Sequence, residues 1–309
     1  MINRYPEFSW SITRHNSLSM CSRQYYLNYY VSPFGRRRDS TSFKQHAFRL
    51  KHLQKLPMIF GSSVHEQIHR TVNQLDDLTE PPVEQEIMAN IRDDLNKAYC
   101  DSKYRQHMWY DRPSDYRMLA EIYYDNELSL EAISDTQEKL PATVRNLVSC
   151  NTMIDLFQRR KETELITAER FRCMEVNGVK VWVVLDLLFR DLGKGTYVVT
   201  DFKSGKRKHD DHTQLILYAR YIKEAFQISS LEQIELRNEY LSEGSIVTYT
   251  PTTYDFEKIE YLIQTSIEWM RSYLQDAEHN IPLEMEAFEQ TKHQGMCKNC
   301  QYRELCGKA

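Results

Sequence analysis

The chain has 309 residues, of which 41% are hydrophobic, enough to bury a substantial core. Its net charge of −4 excludes a protein that coats nucleic acid by bulk electrostatics. The sequence holds no apolar run of bilayer length, the start Met1-Ile2-Asn3-Arg4-Tyr5-Pro6-Glu7 lacks the apolar core of a secretory signal, and 7 cysteines fit reduced thiols or metal ligation better than a disulfide framework, so a cytoplasmic location is expected.

Near the amino terminus Cys21 stands between Trp10-Ser11-Ile12-Thr13-Arg14 and the stretch Arg23 to Tyr30, which predicts an amphipathic helix with its aromatics buried. Arg36-Arg37-Arg38 is a short basic run of the kind that usually marks a solvated loop. Further on, His65-Glu66-Gln67-Ile68-His69 spells His-Glu-x-x-His, the signature of zinc metalloproteases, in which the histidines hold zinc and the glutamate activates water. Against that chemistry stand charged Arg70 after the second histidine, the lack of a third ligand with a supporting motif, and the acidic residues and cysteines it leaves unexplained.

The middle of the chain predicts a strand over 163–174, a hairpin turn at Asn177-Gly178, and a second strand over 179–190. After a turn at Gly193-Lys194-Gly195, a third strand is predicted over 196–203, followed by a helix around 214–221 and a strand over 234–241. Asp186 and Asp201 interrupt otherwise apolar strands, and a buried carboxylate needs a cation. Alternation puts Asp201 and Lys203 on one face and Phe202 on the other. Two carboxylates suit a hard ion such as Mg2+ or Mn2+, with Lys203 beside it to neutralise charge growing in a transition state. The alternative is a plain Asp201–Lys203 ion pair with no metal. Lys206, Arg207 and Lys208 follow directly and are candidates for gripping substrate phosphates.

At the carboxyl end Cys297, Cys300 and Cys306 form a C-x2-C-x5-C run, too tight to supply a fourth ligand, which makes Cys21 the leading candidate to complete a tetrahedral site. Such a site would tie the two ends of the chain together. Spacing alone does not separate a 4Fe-4S cluster from zinc, or either from free thiols. Cys100, Cys150 and Cys173 read as ordinary buried or incidental residues.

Asp186, then Asp201-Phe202-Lys203-Ser204-Gly205, then Gln214 and Tyr218 together resemble the PD-(D/E)XK nucleases of the RecB-like branch. Gly61-Ser62-Ser63-Val64-His65 is similar to that branch's Gly-x-x-x-His motif, and Glu169 falls where many members carry a glutamate on the first core strand. The lone Cys21 with the distal cysteine triplet resembles the iron–sulfur subgroup, which includes AddB-type nucleases and CRISPR-associated iron–sulfur exonucleases. The motifs span residues 10 to 306, and it is the ordered set that is specific.

The resemblance implies an α/β fold, a restriction-endonuclease-like mixed sheet flanked by helices. It implies one nuclease domain over 1–309, with an amino-terminal helical segment over 1–60 carrying Cys21 and a helical insertion over 77–162. A catalytic core over 163–250 and a cysteine-rich cluster segment over 290–309 complete it. His65, Asp186, Asp201 and the carbonyl of Phe202 become metal ligands, Lys203 the catalytic lysine, and Gln214 and Tyr218 its positioning or substrate-contacting partners. The implied activity is Mg2+- or Mn2+-dependent hydrolysis of DNA, as an exonuclease on single strands or ends, with a structural 4Fe-4S cluster. With no Gly-x-x-x-x-Gly-Lys-Ser/Thr phosphate loop in the chain, strand separation would fall to a helicase or other partner, and oligomers are possible. The alternative is a non-catalytic nucleic-acid-binding or redox-sensing iron–sulfur protein. One departure is Val183, where members often have glycine; a side chain there is expected to narrow the space beside the metal.

Overall fold

A computed structural model describes residues 5–75, 82–208 and 210–308, apart from the side chains of residues 169–171. Its centre is a six-stranded mixed sheet built of β1 (Ser9–Trp10), β2 (Thr163–Val176), β3 (Val179–Asp191), β4 (Thr196–Lys203), β5 (Ile234–Tyr240) and β6 (Ser245–Tyr249). The hairpin between β2 and β3 turns at Asn177 and Gly178, with φ of 50° and 74°. Both angles lie in the left-handed region that a two-residue turn of this hand requires, which is why Asn-Gly is favoured there.

The topology leaves a split in this sheet. β2 pairs antiparallel with β3 from Val179 to Asp191, so it occupies one edge of β3 along its whole length. β1 and β4 therefore share the other edge. β1 runs parallel to it at Lys180 and Val181, while β4 pairs antiparallel from Leu187 to Asp191. Among the described residues no strand pairs with residues 182–186 on that edge. β5 then adds parallel to β4, and β6 antiparallel to β5.

Helices cover both faces, among them α1 (Ile12–Met20), α2 (Leu56–Asn73), α3 (Glu84–Tyr104), α4 (Leu130–Ser149), α5 (Asn151–Gln158), α6 (Asp211–Ala225) and α7 (Thr253–Arg271). Alternation along β4 sorts its side chains. Val199 packs with Leu215 and Ile222 of α6 and Ile259 of α7. Val198 and Phe202 pack instead with Phe60 and Val64 of α2 and Val144 of α4. Asp201 and Lys203 share the parity of Val199 and so face α6. In this way the apolar pattern that builds two cores also aims the polar pair.

Most core elements lie where the sequence places them, with ends shifted by a residue or two at β2, β3 and β5, and by three at the start and four at the end of α6. The expected helix over Arg23 to Tyr30 forms, as the consecutive helical segments Ser22–Tyr26 and Leu27–Val31, and it begins only after Cys21. Cys21 takes an extended conformation (φ −165°, ψ 114°) between α1 and a short helix over Ser22–Tyr26, which turns the thiol's segment out of the helical run. Residues 77–81, at the start of the expected insertion, lie outside the described residues, and the rest carries α3, α4 and α5. Among the described residues no helix is long and apolar enough to cross a membrane.

Trp10 anchors the two-residue β1: its ring is fully buried and Nε1 donates to Ser266 Oγ of α7 at 2.8 Å. Trp10→Ala is expected to lower the unfolding free energy by about 3–5 kcal/mol, against about 1 kcal/mol for Gly178→Ala, in urea denaturation. A loss from Trp10→Ala no larger than that from Gly178→Ala would show that β1 is not an integral part of the fold.

Candidate active site

The sheet split holds the acidic residues. Where the β3–β4 ladder stops at Leu187 and Thr200, the Asp186 carboxylate takes over and accepts the Phe202 N–H at 2.9 Å through Oδ2. Asp201 lies beside it, 2% exposed. Lys203 Nζ stands 2.7 Å from Asp201 Oδ2 and donates to Gln214 Oε1 at 3.0 Å. The Lys203–Asp201 contact is an ion pair by distance, yet its angles are not those of a hydrogen bond, so Asp201 Oδ2 is buried with no donor aligned on it. Burial first, then the neighbouring Asp186 charge, push the Asp201 carboxyl up to about 7, although Lys203 and His65 pull the other way.

Gln214 and Tyr218 lie one turn apart on α6. Gln214 receives Lys203 on its carbonyl oxygen and donates from its amide to the Tyr218 hydroxyl. Burial, then the charges of Asp186 and Asp201, hold the Tyr218 phenol far above its ordinary range, so it stays protonated. His65 reaches the site from α2, with Nδ1 3.6 Å from Asp186 Oδ2. The glycine of the Gly-x-x-x-His motif has a steric reason: a Cβ on Gly61 would come within 3.1 Å of Ser204 Oγ, just after the lysine strand. It lets α2 approach β4 closely enough to deliver His65.

Asp211 escaped the sequence analysis. Asp211 places Oδ1 3.9 Å from Lys203 Nζ, while its Oδ2 accepts the Tyr240 hydroxyl at 3.2 Å and the Lys208 N–H at 2.8 Å. Asp211 thus ties the lysine, the end of β5 and the basic loop to the start of α6. An acid in the first helical turn after a lysine-rich loop was the available signal.

The remaining candidates separate. Glu169 lies within β2, but its side chain is outside the described residues. Phe202 is buried in the core opposite the acids. Lys206, Arg207 and Lys208 are exposed, and the Arg207 guanidinium lies 4.5 Å from the centre of the Tyr240 ring. The His-Glu-x-x-His residues part company: Glu66 pairs with Arg70 at 2.9 Å and His69 with Asn73 at 2.8 Å, while His65 turns to Asp186. Val183, buried at 2% exposure, stands by alternation along β3 on the opposite side from Trp182, Val184 and Asp186, yet it lines the cavity that Gln214 and Tyr218 also line.

Cys21, Cys297, Cys300 and Cys306 all line one cavity of about 330 Å³. Burial, then the nearby Cys306, Cys21 and Cys297, push the Cys300 thiol up to about 11, and Cys306 is raised for similar reasons. As neutral thiols the four lie together without repulsion, and to ionise together they would need a cation among them, which is the chemistry of a soft-metal donor set. Among the described residues, however, no three His, Cys, Asp or Glu side chains form a group that could hold a metal ion as they stand. The segments are joined without any metal: the Glu289 carbonyl accepts from Ser22 Oγ at 2.9 Å and from the Arg23 N–H at 3.1 Å. Of the other cysteines Cys150 is buried and Cys173 exposed.

The acidic centre fits a hard divalent ion on the same kind of ground, with two mutually destabilised carboxylates and a buried, undonated Asp201 oxygen. Two acids from adjacent strands and a lysine two residues after the second, on a mixed sheet flanked by helices, define a nuclease of the PD-(D/E)XK type. The PD-(D/E)XK nuclease superfamily model matches residues 9–307, and the chain belongs to that superfamily. Its nucleases act on nucleic acid and generally use divalent metals such as Mg2+. A search of curated proteins found no match.

The raised Asp201 carboxyl gives a signed prediction. With the folded value above the ordinary 3.8, the native state holds a proton that the unfolded chain has released, so stability falls as pH rises between those values. In chelator, denaturation midpoints should decline from about pH 5 to about pH 7.5, and Asp201→Asn should flatten that decline. An identical decline in the variant would show that Asp201 does not carry it.

Proposed function

We propose that this protein is a Mg2+- or Mn2+-dependent deoxyribonuclease, working as an exonuclease on single strands or free ends. The carrying observation is the Lys203 ammonium, held between Asp201 and Gln214 beside Asp186 at an unpaired strand edge. His65, Asp186, Asp201 and the Phe202 carbonyl would hold the ion. When bound, the metal polarises a phosphate oxygen and lowers the pKa of water for attack. Lys203 supplies a fixed positive charge toward the phosphate as negative charge grows on it. Gln214, fixed by Tyr218, gives that ammonium a second acceptor and so a direction, and Asp211 adds a weaker attraction at 3.9 Å. The exposed Lys206, Arg207 and Lys208 add positive charge for the backbone. Single strands or ends suit a chain without a phosphate loop of its own, which leaves unwinding to a partner.

The reading also includes a structural 4Fe-4S cluster on Cys21, Cys297, Cys300 and Cys306, as in the iron–sulfur branch that the sequence resembles. Its support is the shared cavity. Four sulfurs around one zinc at about 2.3 Å would stand about 3.8 Å apart, whereas a four-iron cube needs a wider cage.

End-labelled single- and double-stranded DNA, with and without Mg2+ or Mn2+, tests the activity. Asp201→Ala and Lys203→Ala should each lower kcat by at least about 100-fold with the fold intact. His65→Ala should weaken metal dependence, while Glu66→Ala and His69→Ala keep most activity. Inactive Glu66→Ala beside active Asp201→Ala would instead favour a His-Glu-x-x-His hydrolase.

For the cluster, anaerobically purified protein should be brown, and Cys→Ala at any of the four positions should bleach it. A colourless protein with one stoichiometric zinc would overturn the iron assignment.

A further inference from the structure

A groove of about 650 Å³ leads away from the acidic centre along the unpaired edge of β3. Its walls are the start of α1, including Ser11 and Arg14, and the Gln214–Tyr218 face of α6; Trp182, Val183 and Val184 form its floor. Alternation puts Trp182, Val184 and Asp186 on the same side of β3. At about 3.4 Å per residue, Trp182 stands about 14 Å from Asp186, a reach of roughly two nucleotides of extended strand.

Three features select what lies there. The groove shares Gln214 and Tyr218 with the lysine site, so its occupant is continuous with whatever is held at Asp186 and Asp201. Trp182 is 38% exposed although its β3 neighbours Val181 and Val183 are buried, which leaves an indole open for stacking. Beside the groove two cations face one ring: the Arg14 guanidinium lies 4.6 Å and Lys51 Nζ 5.7 Å from the centre of Tyr29. Neither has a carboxylate partner among the described residues. Burial, then the Arg14 charge, lowers the Lys51 pKa, so the fold maintains this pair against its own repulsion.

We infer that this groove is a second substrate subsite, in which a single-stranded nucleic acid stacks a base on Trp182 and sets a backbone phosphate toward Arg14 and Lys51. The inference rests on the nuclease reading and adds the path of the strand. It makes Trp182 a positioning residue, one that holds the strand in register without touching the reacting phosphate. An aromatic face with flanking cations takes any base, so this subsite reads single-strandedness rather than sequence.

The test uses the full chain and fluorescein-labelled oligothymidylate, with binding followed in chelator and cleavage in Mg2+ or Mn2+. Single-strand binding should quench tryptophan fluorescence, and Trp182→Phe should lose most of the quenching while keeping affinity within a few fold. Trp182→Ala should weaken binding by about 5- to 100-fold, with the loss falling on KM rather than kcat. Arg14→Ala should reduce the log–log salt slope of binding by about 0.7, one phosphate contact on a single strand. If wild type cleaves single strands but Trp182→Ala leaves affinity, KM and quenching unchanged, the groove is not the strand path and the nuclease reading stands. If wild type cleaves nothing yet binds oligothymidylate with the expected Trp182 and Arg14 dependence, the subsite stands and the nuclease reading fails.

Discussion

Everything chemical in this molecule depends on two carboxylates placed where two strands stop pairing. Asp186 and Asp201 face one another across the point at which the β3–β4 ladder ends, and each raises the cost of ionising the other. A buried acid pair of this kind is tolerated only with compensation. Asp186 receives a backbone N–H that the ladder no longer uses, and Asp201 receives one lysine at 2.7 Å. One ammonium does not satisfy two carboxylates, and the undonated Asp201 oxygen records the deficit. A site left short of positive charge is prepared for a divalent cation, and the fold elsewhere bears the cost through two well-filled cores on either side of the sheet.

The lysine is restrained from three sides, and the restraint explains why Gln214 and Tyr218 come with Asp-x-Lys. At 2.7 Å Lys203 is already in contact with Asp201, so what its other partners set is the direction of its remaining protons. Gln214 competes for the same ammonium at 3.0 Å and is itself fixed by a buried phenol. Asp211 stands further off at 3.9 Å, too far for a strong bond but near enough to bias the ammonium's position. The helix α6 therefore acts as a bracket for one side chain of the neighbouring strand.

Much of this was legible because local rules coincide with function in the centre of the chain. Strands β2 to β4 carry dense apolar alternation, Asn177-Gly178 fixes their hairpin, and two aspartates break the pattern where a cation belongs. What escaped has physical reasons. β1 is two residues long and pairs with Lys180 and Val181 across most of the chain, so no periodicity can announce it. β6 is a half-buried edge strand with weak alternation. α7 shows helical spacing at Phe256, Ile259, Ile263 and Ile267, a signal of packing that marks no site. Val183, which departs from the glycine that members often have there, is buried and lines the groove between Trp182 and Val184.

The missing β1 had a consequence, because the split in the sheet exists only through it. With β1 on Lys180 and Val181 and β4 on Leu187 onward, the intervening edge is framed at both ends rather than open to further strands. The chain leaves β1 directly into α1, whose first residues wall the groove and whose last turn delivers Cys21 to the cysteine cavity. At 1.5 Å per residue that helix is about 14 Å long. A single short rigid element thus joins the wall of the groove to the segment gripped by the Glu289 and Phe288 carbonyls near the carboxyl end. Closing the two ends of the chain on each other fixes the far end of α1, and through it the near end. The cysteine site and the acidic site are therefore mechanically adjacent even though the sequence places one at the termini and the other in the middle.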